Sequence, residues 1–123
     1  MIVWGLCLQG QEEAVIGRIA LQDFTNQTIA ELAYWLARPF WGQGIMSEAL
    51  QTVVHFTFNE LELHRLWAGT DPRNLASCRL LERNGFEREG VLRQTTHRDD
   101  GWVDTAVYGL LRVDYGESLA QKE

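Results

Sequence analysis

Cysteine is scarce. Cys7 and Cys78 are the only two in 123 residues, too few and too isolated for a disulfide framework or a zinc site, and a reducing, cytoplasmic setting fits that usage. The three histidines, His55, His64 and His97, lack metal-ligand spacing with one another, so no metal is expected. Long apolar runs are missing as well. The opening run is short and has no basic flank, which predicts neither a signal peptide nor a membrane span. Positive charge is in deficit, with 11 Lys and Arg against 17 Asp and Glu and a net charge of −6. That balance argues against a general nucleic-acid binder and favours cationic small molecules or basic peptides as partners. Repeats, linkers and low-complexity segments are absent too.

What the chain does carry is the material for a core. Hydrophobic residues make up 46% of it and five are Trp, enough to bury one globular domain and to place large aromatic area inside it or against a ligand. Residues 1–115 read as that single domain, and residues 116–123 as a polar tail that frays.

The most informative stretch is 31–49. Ala30, Leu32, Tyr34 and Leu36 alternate with Glu31, Ala33, Trp35 and Ala37, a strand pattern. Pro39 ends it by removing an amide and biasing Arg38 to an extended conformation. Gly42-Gln43-Gly44 then permits a tight turn. From Ile45 the apolar spacing becomes helical, with Met46, Ala49, Leu50, Val53 and Val54 on one stripe. A strand, a glycine turn and a helix start aim several amides at one spot, which is an anion site. The plainer alternative is that the glycines only make the turn. Against it, no Asp or Glu lies between residues 38 and 46, and Phe40 and Trp41 could shield a ligand. The loop is not a Walker loop, because no Gly-Lys-Ser/Thr follows. As a dinucleotide fingerprint it has Ser47 where the third glycine should stand, although Asp71 lies roughly where a ribose-binding acid would.

Element order decides against the dinucleotide reading. Strands are expected over residues 2–8, 14–21 and 28–36, as an antiparallel meander with turns at 10–13 and 23–27. A helix over 45–59 follows, then a strand over 63–70 that Asp71-Pro72 breaks. Asn74 caps a helix running to Arg83, and Asn84-Gly85 supplies its left-handed stop. Strands over 86–92 and 102–112 flank a polar turn at 97–101. This β-β-β-α-β-α-β-β order means a mixed α+β sheet, and a doubly wound fold needs continued β-α alternation.

At ELAYWLARPFWGQGIMSEAL, followed by TDPRNLASCRLLERNGFEREGVLR, the chain resembles the GNAT superfamily of acyl-CoA-dependent N-acetyltransferases. Trp-Gly-Gln-Gly-Ile with a downstream Glu-Ala, and Asn-x-x-Ser before Asn-Gly-Phe, are similar to the RimJ/RimL branch that acetylates ribosomal-protein N-termini. The resemblance covers residues 4–115. It implies a mostly antiparallel twisted sheet with two main helices, lacking the family's usual first strand and first helices. Pro39 occupies the first position of the superfamily's loop signature.

The resemblance also implies a mechanism, in which an amine attacks acetyl-CoA directly while both substrates are held together. The amides of Trp41, Gly42, Gln43, Gly44 and Ile45 would carry the pyrophosphate. The splayed strand end at Trp35, Leu36 and Ala37 would pair with the pantetheine arm, with a backbone N–H polarising the thioester carbonyl. Asn74 and Ser77 would lie beside the pantetheine and sulfur, with Ser77 giving a proton to the leaving thiolate. From the residues alone, Asn74 is equally a helix cap, and Ser77 the residue that receives its bond. Glu31 stands where related enzymes place a catalytic acid, although it also reads as an outward strand residue. Near residues 94–97, where the branch can carry a Glu, Thr95, Thr96 and His97 stand instead.

The acceptor is expected to be an amine, either a basic protein N-terminus or a small amine. Without the family's preceding segment, residues 2–8 form an exposed apolar edge. A second protomer is expected to cover it, or a gene start further upstream to supply it. The alternative to an active enzyme is a CoA-binding or self-assembling module that has lost its acceptor pocket.

Overall fold

The computed structural model describes residues 1–116, so most of the expected polar tail lies outside the described residues. The chain forms two compact units, Met1–His64 and a second that begins at Arg65. Between them they hold six strands and two principal helices, a mixed α+β chain. No described helix is long and apolar enough to cross a membrane.

The first unit is the expected meander and its helix. Strands β1 (Ile2–Leu6), β2 (Gly17–Thr25) and β3 (Ile29–Leu36) pair antiparallel in sequence order. The β2–β3 turn is tighter than expected, because Asn26 and Gln27 both adopt positive φ, at 48° and 57°, the geometry that suits a right-twisted hairpin. Asp23, at φ 50°, sits where the register shifts between Gln22 and Thr25. β2 begins later than expected, since residues 11–16 are spent on turns. Cross-strand partners place Trp4, Ile19 and Tyr34 on one face. Helix α1 (Ile45–Asn59) meets that face, with Phe56 edge-on to Trp4 at 5.6 Å. Its stripe of Met46, Leu50, Val53, Val54 and Phe58 is buried, as are Ile19, Leu21 and Leu32. Each such side chain contributes roughly 1.5–3 kcal/mol by leaving water.

The second unit comprises β4 (Arg65–Thr70), α2 (Leu75–Arg83), β5 (Glu87–Arg98) and β6 (Gly101–Leu111). β6 pairs antiparallel with both β4 and β5. Helix α2 ends as its sequence dictates, with Gly85 at φ 91° and the Gly85 and Phe86 amides returned to the Glu82 and Leu81 carbonyls. One expectation needs correction. The sequence ends this strand at Leu92 and opens a polar turn at His97, yet β5 runs on to Arg98. A bulge between Leu92 and Thr96 absorbs the misfit. There Gln94 takes φ 51° and donates its N–H to the Asp104 carboxylate at 2.8 Å, while the Thr95 and Thr105 hydroxyls pair at 2.5 Å. Residues 112–116 add a helical turn.

Candidate cofactor-binding site

In the first unit the chain leaves β3 through Ala37, makes a short 3₁₀ turn at Arg38–Phe40, and reaches α1 across Gly42 and Gly44. Pro39 opens that turn, where its fixed φ is an advantage. Gly42 and Gly44 have φ of 75° and 77°, left-handed values that cost other L-residues roughly 1–2 kcal/mol. Gly44 is the N-cap of α1 and offers no side-chain cap. The first intrahelical bond is Glu48 N–H to the Gly44 carbonyl at 3.0 Å. The amides of Ile45 and Met46 therefore precede any carbonyl the helix can give them, at the positive end of its dipole. A Cβ added to Gly42 or Gly44 would meet nothing within 4 Å. The glycines are there for their backbone angles, and the space in front of them is open.

Three expected donors are turned elsewhere. The Trp41 N–H, expected to face phosphate, closes the 3₁₀ turn on the Arg38 carbonyl at 3.1 Å. The Ala37 N–H, expected to serve the pantetheine arm, donates to the Ile16 carbonyl at 2.8 Å. Amides alternate sides along a strand, so Trp35 also faces β2, opposite Arg18. Of the three residues at the strand end, Leu36 alone turns its N–H away from β2. Gly42, Gln43, Gly44 and Ile45 form the candidate phosphate cradle, and the Gln43 side chain braces it by donating to the Pro39 carbonyl at 3.2 Å.

A residue missed in the sequence shapes this strand end. Gly17 lies opposite Leu36, and a Cβ there would come within 2.5 Å of the Trp35 carbonyl oxygen. The available signal was a lone glycine inside the expected 14–21 strand, which marks a close approach of another backbone.

Glu31 faces away from the side that α1 covers, on the face it shares with Trp35. Its carboxylate accepts a 2.5 Å bond from the Gln22 side chain directly across the hairpin. It lies five strand positions before Leu36, roughly 17 Å of rise.

In the second unit Asn74 is the N-cap of α2, and its Oδ1 accepts the Ser77 N–H at 3.1 Å. The Ser77 Oγ accepts from the Thr70 hydroxyl at 2.9 Å. A hydroxyl that accepts one bond still carries its own proton. The turn ahead of the helix is set by Asp71, which accepts from both the main chain and the guanidinium of Arg73. That pairing holds the Asp71 carboxyl down to about 2. Arg73 reaches on to Asp100 at 3.0 Å and is pushed above its ordinary range by the Asp71 bond first, then by Asp100. Deeper in the unit, Tyr108 donates to Glu82 and accepts from Arg88, each at 3.0 Å. Burial, foremost, pushes the Tyr108 phenol up to about 12. No cluster of metal-ligating side chains occurs among the described residues.

Comparison with known proteins gives this geometry a context. A family model described as Acetyltransferase (GNAT) domain matches residues 1–87. The protein named Probable N-acetyltransferase YjcK, from Bacillus subtilis (strain 168), is 38% identical over 105 residues, covering 84% of this chain and 58% of the relative. The ribosomal-protein-serine acetyltransferase of Escherichia coli (strain K12) is 36% identical over 100 residues, covering 80% of this chain and 55% of the relative. Among solved structures, a GNAT-family acetyltransferase from Bacillus anthracis superposes with a TM-score of 0.81 at 27% identity, covering 90% of this chain and 66% of that one. The chain thus spans little more than half the length of these curated relatives. On the strength of the family match over residues 1–87, supported by those relatives and that fold, this chain belongs to the GNAT acetyltransferase family.

Proposed function

We propose that the chain is part of an enzyme that moves the acetyl group of acetyl-CoA to a primary amine, either a protein N-terminus or a small amine, by direct attack in a ternary complex. The observation that carries this reading is the uncapped start of α1 behind two left-handed glycines, Gly42 and Gly44. A diphosphate laid on the amides of Gly42, Gln43, Gly44 and Ile45 takes the place of the side-chain cap that this helix start lacks. The Leu36 N–H is the donor for the thioester carbonyl, where charge develops as the amine attacks. Asn74 and Ser77 serve the pantetheine and sulfur, with the Ser77 hydroxyl protonating the departing thiolate.

The acceptor must reach the carbonyl as a neutral amine. Glu31 is the proposed acceptor of that proton. At roughly 17 Å along the strand from Leu36, it works through intervening water or against a substrate that spans the face. The net charge of −6 suits a cationic acceptor without selecting one. Cys7 and Cys78 are both unpaired thiols, in keeping with a reducing, cytoplasmic setting. β1 pairs with β2 alone among the described residues, an edge that either a second copy or chain from further upstream would cover.

One observation favours the alternative of a CoA-binding module without turnover. Near residues 94–97, where the resembled branch can carry a Glu, Thr95, Thr96 and His97 stand instead, and the Thr95 hydroxyl is held by Thr105. Titration calorimetry with CoA, combined with thiol release from acetyl-CoA over a panel of peptide N-termini and polyamines, separates the readings. Turnover that falls at least tenfold in Glu31→Gln supports the enzyme with this base. Binding without turnover across the panel selects the module, and failure to bind CoA removes both.

A further inference from the structure

Trp41 does not serve the core. It keeps 55% of its surface exposed, and its main-chain N–H is spent on Arg38. Its indole is nevertheless firmly placed. Nε1 reaches back five residues to donate to the Leu36 carbonyl at 2.6 Å, and the Arg38 guanidinium lies 5.3 Å from the ring centroid. The same peptide is held at its other pole, where the Ala37 N–H donates to the Ile16 carbonyl at 2.8 Å. A peptide plane gripped at both its C=O and its N–H has lost its freedom to rotate. That fixes the angles on either side of it, ψ of Leu36 and φ of Ala37. The Leu36 N–H belongs to the adjoining plane, on the side turned away from β2.

We infer that the Trp41 indole is a positioning residue, a strut that locks the 36–37 peptide and so keeps the Leu36 N–H aimed at the thioester carbonyl. The diphosphate amides lie beyond the strut and take their positions from the left-handed Gly42 and Gly44 and the start of α1, so the indole bears on the carbonyl donor and not on the cradle. This inference rests on the placement of acetyl-CoA proposed above. It predicts a separation that loss of packing would not produce. The diphosphate contacts come from amides beyond Trp41, and they stay in place when only the indole N–H is removed.

The test uses the 123-residue protein with CoA and with acetyl-CoA carrying ¹³C at the thioester carbonyl. Trp41→Phe keeps a ring for Arg38 to cover and deletes the donor. Benzothienylalanine at position 41, with sulfur in place of N–H, deletes the donor while preserving shape. In the unaltered protein, bound acetyl-CoA shows its carbonyl resonance displaced downfield by the hydrogen bond. In either variant the affinity for CoA stays within about twofold, since no diphosphate contact is lost. The carbonyl resonance returns toward its position in water, and any preference for acetyl-CoA over CoA falls severalfold. A variant that binds CoA and keeps the displaced resonance overturns the strut and leaves the cofactor site standing. Should Trp41→Phe alone lose CoA while the sulfur analogue behaves as described, the strut holds and the loss belongs to ring volume. Loss of CoA binding in both overturns it. An unaltered protein that does not bind CoA at all removes the site and the strut together.

Discussion

The chain builds two helix starts in opposite ways. Helix α2 opens on Asn74, whose side chain takes the Ser77 amide, after a turn that Asp71 and Arg73 hold with their own charges. Helix α1 opens on Gly44, which has no side chain to give. One terminus is closed by a side chain of its own, and the other has no side-chain cap and is where the diphosphate is proposed to lie. A helix end without a cap is a cost to folding that a bound anion can offset. The contrast is therefore a statement about function, and it can be tested at each end.

The largest effect is expected from Gly44→Trp. Nothing lies near a Cβ there, so the fold tolerates the bulk at about 1–2 kcal/mol of backbone strain. A diphosphate meets the indole and loses several charge-assisted bonds, weakening CoA by at least about a hundredfold. Calorimetry paired with far-ultraviolet circular dichroism checks both halves, and unchanged affinity removes the proposed cradle. Ser77→Ala comes next. Turnover of acetyl-CoA is expected to fall about tenfold with KM unchanged, a modest loss because a thiolate leaves readily even unprotonated. An equal rise in KM assigns Ser77 to binding instead.

Asn74→Ala tests the self-satisfied end. It costs about 1 kcal/mol of stability through the lost cap, whereas Asn74→Asp retains an acceptor and loses little. Thermal melts of the two variants read the difference, and equal melts discount the cap. The smallest effect is the pH response of the turn before α2. Asp71 is held to about 2 by Arg73, below the ordinary carboxylate value, so its pairing stabilises the folded state above pH 4 or so. That contribution is lost as pH falls toward 2. Nuclear magnetic resonance titration of the Asp71 carboxyl carbon checks the midpoint, and a value near 4 discounts the pairing.

Several elements were legible because their determinants are local. The stop of β3 at Pro39, the glycine turn, the amphipathic stripe of α1 and the Asn74 to Gly85 frame of α2 all depend on residues within a few positions of one another. β5 was misjudged for the opposite reason. Its extension to Arg98 depends on Asp104 and Thr105, ten residues away in β6, and no window along β5 contains them. β2 starts at Gly17, not at Ala14, because the turn read at 10–13 is prolonged to residue 16 by main-chain bonds back to Leu6 and Leu8.

The candidate site divides along the same line. The proposed anion cradle at Gly42 to Ile45 was readable from residue order, because glycine alone enters left-handed φ at little cost and the first amides of a helix have no partner within it. Which amides point into it was decided by tertiary structure. Ile16, on the far side of the β2–β3 hairpin, takes the Ala37 N–H, and Arg18 stands opposite Trp35, so Leu36 alone is left facing away from β2. A main-chain donor has no identity in the sequence until a neighbour claims it, and the neighbours are chosen by how the chain packs.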